Sequence, residues 1–265
     1  KNEPITLHTS DEFGDLAGAL NIIAEDLNNF DDYQRAFISN ISHDFRSPLT
    51  SIHGYAQAML DGTIPYEAQE KYLNIILSET DRLTNLTSNL LELNSFNGDN
   101  VLLDITTFNI CETIVQTVNT LEGTAAKKEI SFVLDYNTQK ELLVEADESK
   151  IHQVLYNLID NAVKFSHNNS EIKISLRKKG AKVFVSVKDS GIGIPKESLN
   201  KVFDRFYKTD ISRGKDKRGT GLGLSISKEI VQAHNQTINV VSTVDVGTEF
   251  VFTLKYHSKK QEASS

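Results

Sequence analysis

An apolar stripe at helical spacing runs along the first part of the chain, and it constrains the fold more than any other sequence feature. Its members alternate steps of four and three residues, the heptad pattern of a coiled coil: Leu16, Leu20, Ile23, Leu27 and Phe30. One helix cannot bury such a stripe by itself, so the stripe needs a second helix, most simply the same helix of another copy. The sequence therefore predicts a long helix, starting near Asp11, that pairs in a homodimer.

The stripe changes its spacing further along the same helix. From Gln34 the steps are three, four and four residues, an eleven-residue insertion that locally changes the supercoil. This change of phase falls on His43, so a twist arriving from upstream would be felt at that residue. Beyond it, one apolar face continues to the end of the helix: Ile41, Phe45, Pro48, Leu49, Ile52, Tyr55 and Met59.

His43 lies on the opposite side of this helix. At 100° per residue the apolar face stays within about 80° of one line, whereas His43 falls at about 200° from Ile41. Asp44 follows the histidine directly, and Pro48 removes a backbone hydrogen bond and bends the helix. An exposed imidazole beside a carboxylate, one turn before a kink, is a candidate reactive group. A solvated surface histidine is the alternative, and for a histidine taken alone it is the more frequent one.

Bulk composition excludes several classes of protein. A length of 265 residues is typical of two domains, and the net charge of −8 argues against a nucleic-acid or anionic-membrane surface. The single cysteine, Cys111, cannot form an intramolecular disulfide, which fits a reducing compartment, and we expect it to be a small apolar residue near a helix start. Because no run approaches the ~20 apolar residues of a membrane span and no signal peptide is recognisable, we expect a soluble chain without nucleic-acid partners.

Turn residues divide the first part of the chain into two helices. D-G-T-I-P at 61–65 supplies a glycine C-cap followed by proline, which ends the first helix near Leu60. A second apolar pattern follows as far as Leu93, so the two helices form an antiparallel hairpin. Two such hairpins pair into a four-helix bundle, which predicts a homodimer through helices 11–95. N-G-D-N at 97–100 marks the domain boundary.

Strands and helices alternate in the rest of the chain. Asp147 is placed to cap a helix, and Lys179-Gly180 forms the turn of a hairpin. The alternation predicts an α+β sandwich with one mixed sheet covered by helices. Predicted strands span 101–105, 130–134, 142–145, 171–177 and 182–188, predicted helices span 110–126, 148–165 and 221–234, and two further strands close the domain.

The predicted helix at 148–165 carries a polar group of residues on one face. Asn157, Asn161 and Lys164 are spaced four and three residues apart, so they can converge on one ligand. Two amides and an ammonium group suit a magnesium ion and the phosphates that it bridges, since hard cations prefer oxygen ligands. A merely polar helix face is the alternative, and these three residues alone do not decide between the two.

Two glycine clusters add to this pattern. D-S-G-I-G-I-P at Asp189–Pro195 follows a strand, where a carboxylate can accept from an exocyclic amine, although a tight turn uses the same residues. G-T-G-L-G-L at Gly219–Leu224 opens a helix and forms an anion site suited to a triphosphate. Neither cluster is a Walker loop or a dinucleotide fingerprint. Between them, residues 195–218 carry eight Lys or Arg against four acids, a net +4.

These motifs, taken together, resemble the boxes of the sensor histidine kinases of two-component signalling, in the same order and at similar spacing. H-D-F-R-S-P-L resembles the histidine box, N-L-I-D-N-A-V-K-F the asparagine box, and D-S-G-I-G-I-P the first glycine box. F-D-R-F-Y-K resembles the phenylalanine box and R-G-T-G-L-G-L the second glycine box. D-E-F-G-D-L-A-G-A-L is similar to the end of a HAMP helix. The resemblance runs from about Asp11 to Tyr256.

The resemblance implies an organisation of domains and a pair of ligands. It implies a HAMP-end helix at 1–30, a dimerisation and histidine-phosphotransfer hairpin at 31–98, and a Bergerat-type ATP-binding domain at 99–257, with a disordered tail at 258–265. The expected ligands are ATP and Mg²⁺. The expected partners are a second copy and a response regulator that docks on the hairpin near His43. The chain would be the cytoplasmic portion of a membrane-anchored sensor whose membrane segment lies upstream.

The resemblance also assigns roles to residues. His43 would attack the γ-phosphate through Nε2, Asp44 would accept from Nδ1–H, and Lys208 would stabilise charge on the transferring group. Asn161 would hold magnesium, Asp189 would bind adenine N6, and Phe203 and Phe206 would anchor the basic loop. The remaining expected nucleotide-binding residues are Asn157, Lys164, Phe165, Gly191, Gly193, Gly219, Thr220, Gly221, Leu222, Gly223 and Thr248.

Three positions depart from the usual family pattern. Ser47 stands where Thr or Asn is usual, at the position thought to orient water for dephosphorylating the regulator, so it keeps a hydroxyl but leaves a regulator phosphatase activity in doubt. Asp44 replaces the commoner Glu and has a shorter reach. Asn235-Gln236 replaces a Gly-Gly turn, which we interpret as structural.

Two alternative functions remain at the level of the sequence. An ATPase of the topoisomerase or mismatch-repair type shares the asparagine and glycine boxes, but it lacks a histidine box and needs a glutamate base where this chain has Asp160 and Asn161. A degenerate kinase acting as an ATP-binding dimeric scaffold is the other alternative. The intact Asn161, Asp189 and glycine boxes argue against it.

Overall fold

The computed structural model describes residue 5 and residues 12–95, 102–136, 141–209 and 219–258. The chain divides into two compact units, Lys1–Thr84 and Asn85–Ser265. Across the described residues, no helix is both long and apolar enough to span a bilayer. Of the expected tail at 258–265, all but the first residue lies outside the described residues.

Two helices form the first part of the chain, as the sequence predicts. Helix α1 spans Glu12–Leu60 with Pro48 inside it, and helix α2 spans Gln69–Ser95. They are joined by a turn and a short 3-10 segment, Tyr66–Ala68. Gly62 ends α1 in a left-handed conformation (φ +77°), the role expected of a glycine C-cap. The rings of Tyr55 and Tyr72 lie 5.1 Å apart and join the two helices into a hairpin.

The apolar stripe of α1 is exposed in the single chain. Leu16, Ile23 and Leu27 expose more than half of their surface (55%, 55% and 62%), as expected of a stripe that needs a second helix. The side chain of Phe30 lies outside the described residues. Leu49, predicted to lie on the buried face of the helix, is 52% exposed in the single chain, like the members of the stripe. Its neighbour Pro48 takes the buried position, and adjacent helical residues point about 100° apart.

The second unit is built on a seven-stranded mixed sheet. Its strands run in the order β1-β3-β7-β5-β4-β2, with β6 paired to β7, and among the strand pairs that the structure describes only β2–β4 is parallel. Helix α4 contacts both other helices of this unit. This is the predicted α+β sandwich. The elements are β1 (Thr106–Asn109), α3 (Ile110–Ala126), β2 (Ser131–Tyr136), β3 (Leu143–Ala146), α4 (Glu148–Phe165), β4 (Glu171–Lys179), β5 (Lys182–Lys188), α5 (Gly223–Ala233), β6 (Ile238–Thr243) and β7 (Gly247–Tyr256).

The predicted strand at 101–105 is wrong over residues 102–105, which form no strand, and the first strand of the described residues is β1 at 106–109; residue 101 lies outside the described residues. Leu102 is 96% exposed, so the apolar run that prompted the prediction is not a core strand. At this point the chain turns toward α4, because the backbone N–H of Asp104 donates to Oδ2 of Asp147 (3.1 Å). The last helix also begins two residues later than predicted, because Gly221 is in a left-handed conformation (φ +71°) that no α-helix accommodates.

The division between the two units falls inside α2, earlier than the predicted boundary at 97–100. Glu92, near the end of α2, accepts hydrogen bonds from Lys150 (2.7 Å) and Gln153, both on α4. Leu86 and Leu93 of the same helical segment are almost completely buried. The last turns of α2 therefore belong to the second unit.

The N-terminus of α4 is fixed by two side chains from different parts of the sequence. Oδ1 of Asp147 accepts from the backbone N–H of Lys150 (3.2 Å), which confirms the predicted cap. The backbone N–H of Asp147 donates to Nε2 of His234 (2.9 Å), and Nδ1 of the same ring lies 2.8 Å from the carbonyl of Ile230. Nδ1 therefore carries the proton, and the neutral ring ties the end of α5 to the start of α4.

We expect His234→Ala to lower the free energy of unfolding by about 1–3 kcal/mol, because it leaves the part-buried Asp147 N–H without its acceptor. Urea denaturation checks this value. Gln232→Ala, at an exposed position of α5, is the matched control and should change stability by less than about 0.5 kcal/mol. Equal effects of the two substitutions would contradict this role of His234.

Candidate functional site

A cavity of about 670 Å³ lies in the second unit. It is bordered by α4, by the last turns of α2, by the loops that follow β5 and precede α5, and by the start of β7. Lys208, predicted to be catalytic, lines it together with most of the predicted nucleotide-binding residues: Asn157, Asn161, Lys164, Phe165, Asp189, Gly193, Gly219, Thr220, Gly221, Gly223 and Thr248.

Helix α4 separates an apolar face from a polar one. Ile151, Leu155 and Leu158 are fully buried in the core, and the opposite face borders the cavity. Asn157, Asn161 and Lys164 share that face, which confirms the prediction from their spacing. The cavity wall also includes polar residues one turn further back, Gln153 and Tyr156.

The three predicted residues of this face have different surroundings. The side-chain amide of Asn157 donates to the carbonyl of Gly223 (3.1 Å) and to Oγ of Ser227 (3.3 Å), so it ties α4 to the start of α5. Nζ of Lys164 pairs with Oδ2 of Asp160 at 2.7 Å. Asn161 lies between them in the cavity wall with its amide available to a ligand.

Asp189 is buried at one end of the cavity, directly after β5. Its Oδ1 accepts from the backbone N–H groups of Gly191 (2.9 Å) and Thr248 (3.1 Å). Both bonds use the same oxygen, so Oδ2 is the atom that this arrangement leaves for a ligand. Burial raises the pKa of this carboxyl above its usual value, although the two backbone bonds act in the opposite direction.

Three residues packed around Asp189 must be glycines, because a side chain would have no room there. A Cβ at Gly191 would lie 2.3 Å from the carbonyl oxygen of Phe165, and one at Gly193 would lie 2.1 Å from that of Thr243. A Cβ at Gly247 would lie 2.0 Å from the carbonyl oxygen of Asp189. Gly191 therefore supports the site from behind, whereas Gly193 borders the cavity.

The second glycine cluster forms another part of the cavity wall and leads into α5. A Cβ at Gly221 would lie 2.9 Å from the backbone of Phe206, and the backbone N–H of Phe206 donates to the carbonyl of Gly221 (2.9 Å). Leu222, also predicted to bind nucleotide, directly precedes the first residue of α5, and its side chain is fully buried.

The two phenylalanines of the basic loop act as predicted. The ring of Phe203 packs edge-on against Phe250 with centroids 6.1 Å apart, and Phe206 is buried. Tyr207 and Lys208, which follow them, reach the cavity wall. Residues 210–218 of the loop lie outside the described residues.

His43 is exposed on α1, in the first unit, as its angular position predicts. Its side chain is 84% exposed, whereas that of Asp44 is 16% exposed, and Nδ1 of His43 lies 3.5 Å from Oδ1 of Asp44. Ser47 is also exposed, one turn further along. The imidazole therefore has a carboxylate beside Nδ1, and its other nitrogen, Nε2, can face a ligand.

Several cavity residues were missed from the sequence. Asn85 and Asn89, on α2, line the cavity because the last turns of that helix belong to the second unit. No local pattern reveals this. Gln153 could have been found, since it continues the polar stripe of α4 one turn before Asn157. Gly247 is not in the cavity wall but packs against the carbonyl of Asp189, and it could have been found as the residue directly before Thr248 at the start of a strand.

Known protein families match both parts of the chain. The His Kinase A (phospho-acceptor) domain matches residues 33–98. The family of histidine kinase-, DNA gyrase B- and HSP90-like ATPases matches residues 146–258. The first match contains His43 and the second contains every predicted cavity residue.

Individual proteins agree with these matches. The sensor histidine kinase WalK of Bacillus subtilis is 34% identical over 258 residues, which is 95% of this chain and 42% of WalK. The chain thus spans less than half the length of that relative. The structure of histidine kinase ThkA in complex with the response regulator TrrA has a TM-score of 0.68 and 31% identity, and the match covers 85% of this chain and 63% of that one.

The catalytic domain of ThkA alone is 35% identical with a TM-score of 0.52, and the match covers 58% of this chain and 96% of that domain. The helical hairpin with an exposed histidine and the sheet unit with its glycine-bordered cavity thus each have a counterpart in one family. The chain belongs to the sensor histidine kinases of two-component systems and comprises their phospho-acceptor hairpin and their ATPase domain.

Proposed function

We propose that the chain binds ATP in the cavity of the second unit, transfers the γ-phosphoryl group to His43, and passes it to an aspartate of a response regulator. The observation that carries this proposal is the cavity itself, which has a buried carboxylate at one end and a glycine loop opening α5 in its wall. The structure of ThkA with TrrA supports a response regulator as the partner. A scaffold without activity is not favoured, because the residues expected to bind the nucleotide line the cavity.

The adenine base fits the end of the cavity that holds Asp189. Oδ2 of Asp189 can accept from the exocyclic amine N6, and Thr248 lies beside it in the wall. Ile192 and Phe250 supply apolar surface for the faces of the ring. A buried acceptor within an apolar slot is the arrangement by which small-ligand sites fix orientation.

The phosphates fit the other end, beside Gly219–Gly223. Glycines allow the backbone to approach the oxygens closely, and the first N–H groups of α5 have no partner within the helix and favour an anion. Lys208 adds a positive charge at the wall, where it can stabilise charge on the transferring group. Lys164 contributes less, because its ammonium group is paired with Asp160.

The residues at this end also fit a magnesium ion. The amide oxygen of Asn161 is a hard ligand, and magnesium usually takes only one or two ligands from the protein, the rest coming from phosphates and water. When bound, the ion would neutralise negative charge on the phosphates. The chain contributes the position of that oxygen, fixed on the polar face of α4.

The transfer step forms one bond and breaks one bond. The lone pair of His43 Nε2 attacks the γ-phosphorus, the bond to the oxygen bridging the β- and γ-phosphates breaks, and ADP leaves with those electrons. Asp44, beside Nδ1, keeps the proton on that nitrogen before attack and stabilises the positive charge that develops on the ring. Transfer to an aspartate of the regulator then restores the neutral imidazole.

The remaining functions follow from the first unit. The exposed stripe of α1 supports a homodimer through helices 11–95, and the regulator would dock on the hairpin near His43. Ser47, exposed one turn after His43, would orient water for a phosphatase reaction on the regulator. WalK is described as a sensor and is more than twice as long as its matched part, which supports a membrane-anchored receptor of which this chain is the cytoplasmic portion.

His43→Ala should abolish labelling of the protein by [γ-³²P]ATP with magnesium, because it removes the attacking nitrogen. The wild-type label should be acid-labile and base-stable, as expected of a phosphohistidine. His53→Ala, an exposed histidine on the same helix, is the matched control and should keep full labelling. Labelling that survives in His43→Ala would overturn the assignment.

Asp189→Asn should weaken ADP binding at least tenfold, because a carboxylate acceptor is replaced by an amide that can present N–H groups to N6. Isothermal titration with ADP and magnesium measures the change. Asp204→Asn, at an exposed position, removes the same charge elsewhere in the unit and should leave the affinity unchanged. Equal affinities for the Asp189→Asn variant and the wild type would remove Asp189 from the base site.

Acid should weaken ADP binding through Asp189. Since the pKa of this buried carboxyl is raised, it takes up a proton as pH falls while an exposed aspartate is still charged, and the acceptor for N6 is then lost. Affinity should therefore be complete above the raised pKa and fall below it. ADP titrations over a pH series measure this change, with Asp189→Asn as the control. The affinity of that variant still changes with protonation of the ADP phosphates, but it has no carboxyl at position 189 to protonate. Parallel pH profiles would contradict the mechanism.

A further inference from the structure

Ser242, on β6, stands behind the cavity wall and makes three hydrogen-bond contacts through one oxygen. Its Oγ lies 2.8 Å from the backbone nitrogen of Ile194, 2.8 Å from the carbonyl oxygen of Gly247 and 2.9 Å from Oγ1 of Thr248. Of these neighbours, Ile194 and Thr248 border the cavity, as Asp189 does. Ser242 thus connects the first glycine loop, the start of β7 and the base end of the site.

Counting protons fixes the direction of each contact. A serine hydroxyl has one hydrogen to donate and two lone pairs to accept with. The carbonyl of Gly247 can only accept, so it takes the hydrogen of Ser242, and the backbone N–H of Ile194 can only donate. Ser242 then has no hydrogen left for Thr248, so the hydroxyl of Thr248 donates to Ser242.

This direction decides what Thr248 can offer to a ligand. The one hydroxyl hydrogen of Thr248 points to Ser242, so its Oγ1 presents lone pairs to the cavity. Thr248 is 94% buried, with 6% of its surface exposed, so water does not compete freely for that hydrogen. The carboxylate of Asp189 adds a second acceptor. Asp189 lies next to Thr248, because its Oδ1 accepts from the backbone N–H of Thr248 and its backbone carbonyl packs against Gly247. The base end of the cavity therefore offers acceptors from both side chains.

We propose that Ser242 is a positioning residue for base selection: it holds the hydroxyl of Thr248 as an acceptor and so makes the cavity select adenine over guanine. The proposal rests on the proposed function, in which the cavity binds a purine nucleotide with its base at Asp189. Adenine presents an amine donor at N6, whereas guanine presents the acceptor O6 at the same position. When an acceptor of the ligand faces an acceptor of a buried site, both groups are left without a hydrogen bond. Such unpaired buried groups are the strongest means by which a site rejects an analogue.

The test compares ADP and GDP binding by isothermal titration with magnesium. Wild type should bind ADP more than tenfold tighter than GDP. In Ser242→Ala the hydroxyl of Thr248 is free to turn and donate to O6, so the ratio of the two affinities should fall about tenfold. Thr248→Val removes that hydroxyl, and Ser242→Ala added to Thr248→Val should produce no further change in the ratio.

Ser242→Cys keeps the size of the side chain and a weak donor, and it serves if the alanine variant does not fold; the ratio should fall in the same direction. A merely structural role of Ser242 would weaken ADP and GDP equally and leave the ratio unchanged, which overturns the proposal. A further fall of the ratio in the double variant also overturns it, since the effect would not pass through Thr248. If wild type binds neither nucleotide, the proposed function itself fails and this inference with it.

Discussion

The buried carboxylate of Asp189 joins its own glycine loop to the start of β7, a segment 59 residues away in sequence. Its Oδ1 binds the backbone of the first glycine loop and of the start of β7, and its own backbone N–H donates to the carbonyl of Thr248 (2.8 Å). Removing a carboxylate from water is unfavourable unless hydrogen bonds replace the lost hydration, and bonds to a charged group contribute about 1.5–3 kcal/mol each. The two backbone N–H groups supply that replacement, so the loops close around the acid. The same contacts shape the end of the cavity that we propose to hold the base.

The sheet register decides which residues can meet there. Lys188 pairs with Glu249 across the β5–β7 ladder, so the residue after β5 falls opposite Thr248. At that point Gly247 adopts φ +138° against the carbonyl of Asp189, which leaves no room for any side chain. The hydroxyl of Ser242 then binds the carbonyl of Gly247 on the neighbouring strand. One glycine thus lets a carboxylate, a threonine and a serine share a single hydrogen-bond network, and the proposed selection of the base depends on that network.

Much of the fold could be predicted because the spacing of residues along a helix or strand indicates which of its faces is buried. The four- and three-residue spacing of Asn157, Asn161 and Lys164 placed them on one face of α4, and both the helix and its cap at Asp147 were predicted correctly. The strand at 101–105 was wrong because its apolar run does not enter the sheet, and a bond from Asp104 to Asp147 directs the chain elsewhere. Asn85, Asn89 and Ser242 could not be predicted, since their roles depend on which segments meet across long stretches of sequence.

The two chemical requirements of the proposed reaction explain why its parts lie in separate units. A triphosphate needs a concave site with backbone N–H groups directed at it, and a helical hairpin has no such concavity because its backbone donors are used within the helices. A nucleophile that must meet first a nucleotide and then a regulator needs the opposite, an exposed side chain on a rigid support. His43, 84% exposed on a helix of 49 residues, has that exposure, and the largely buried Asp44 beside it supplies the orienting carboxylate. The histidine is uninformative when its own helix is considered alone, and it becomes interpretable because the same chain contains a cavity suited to a phosphoryl donor.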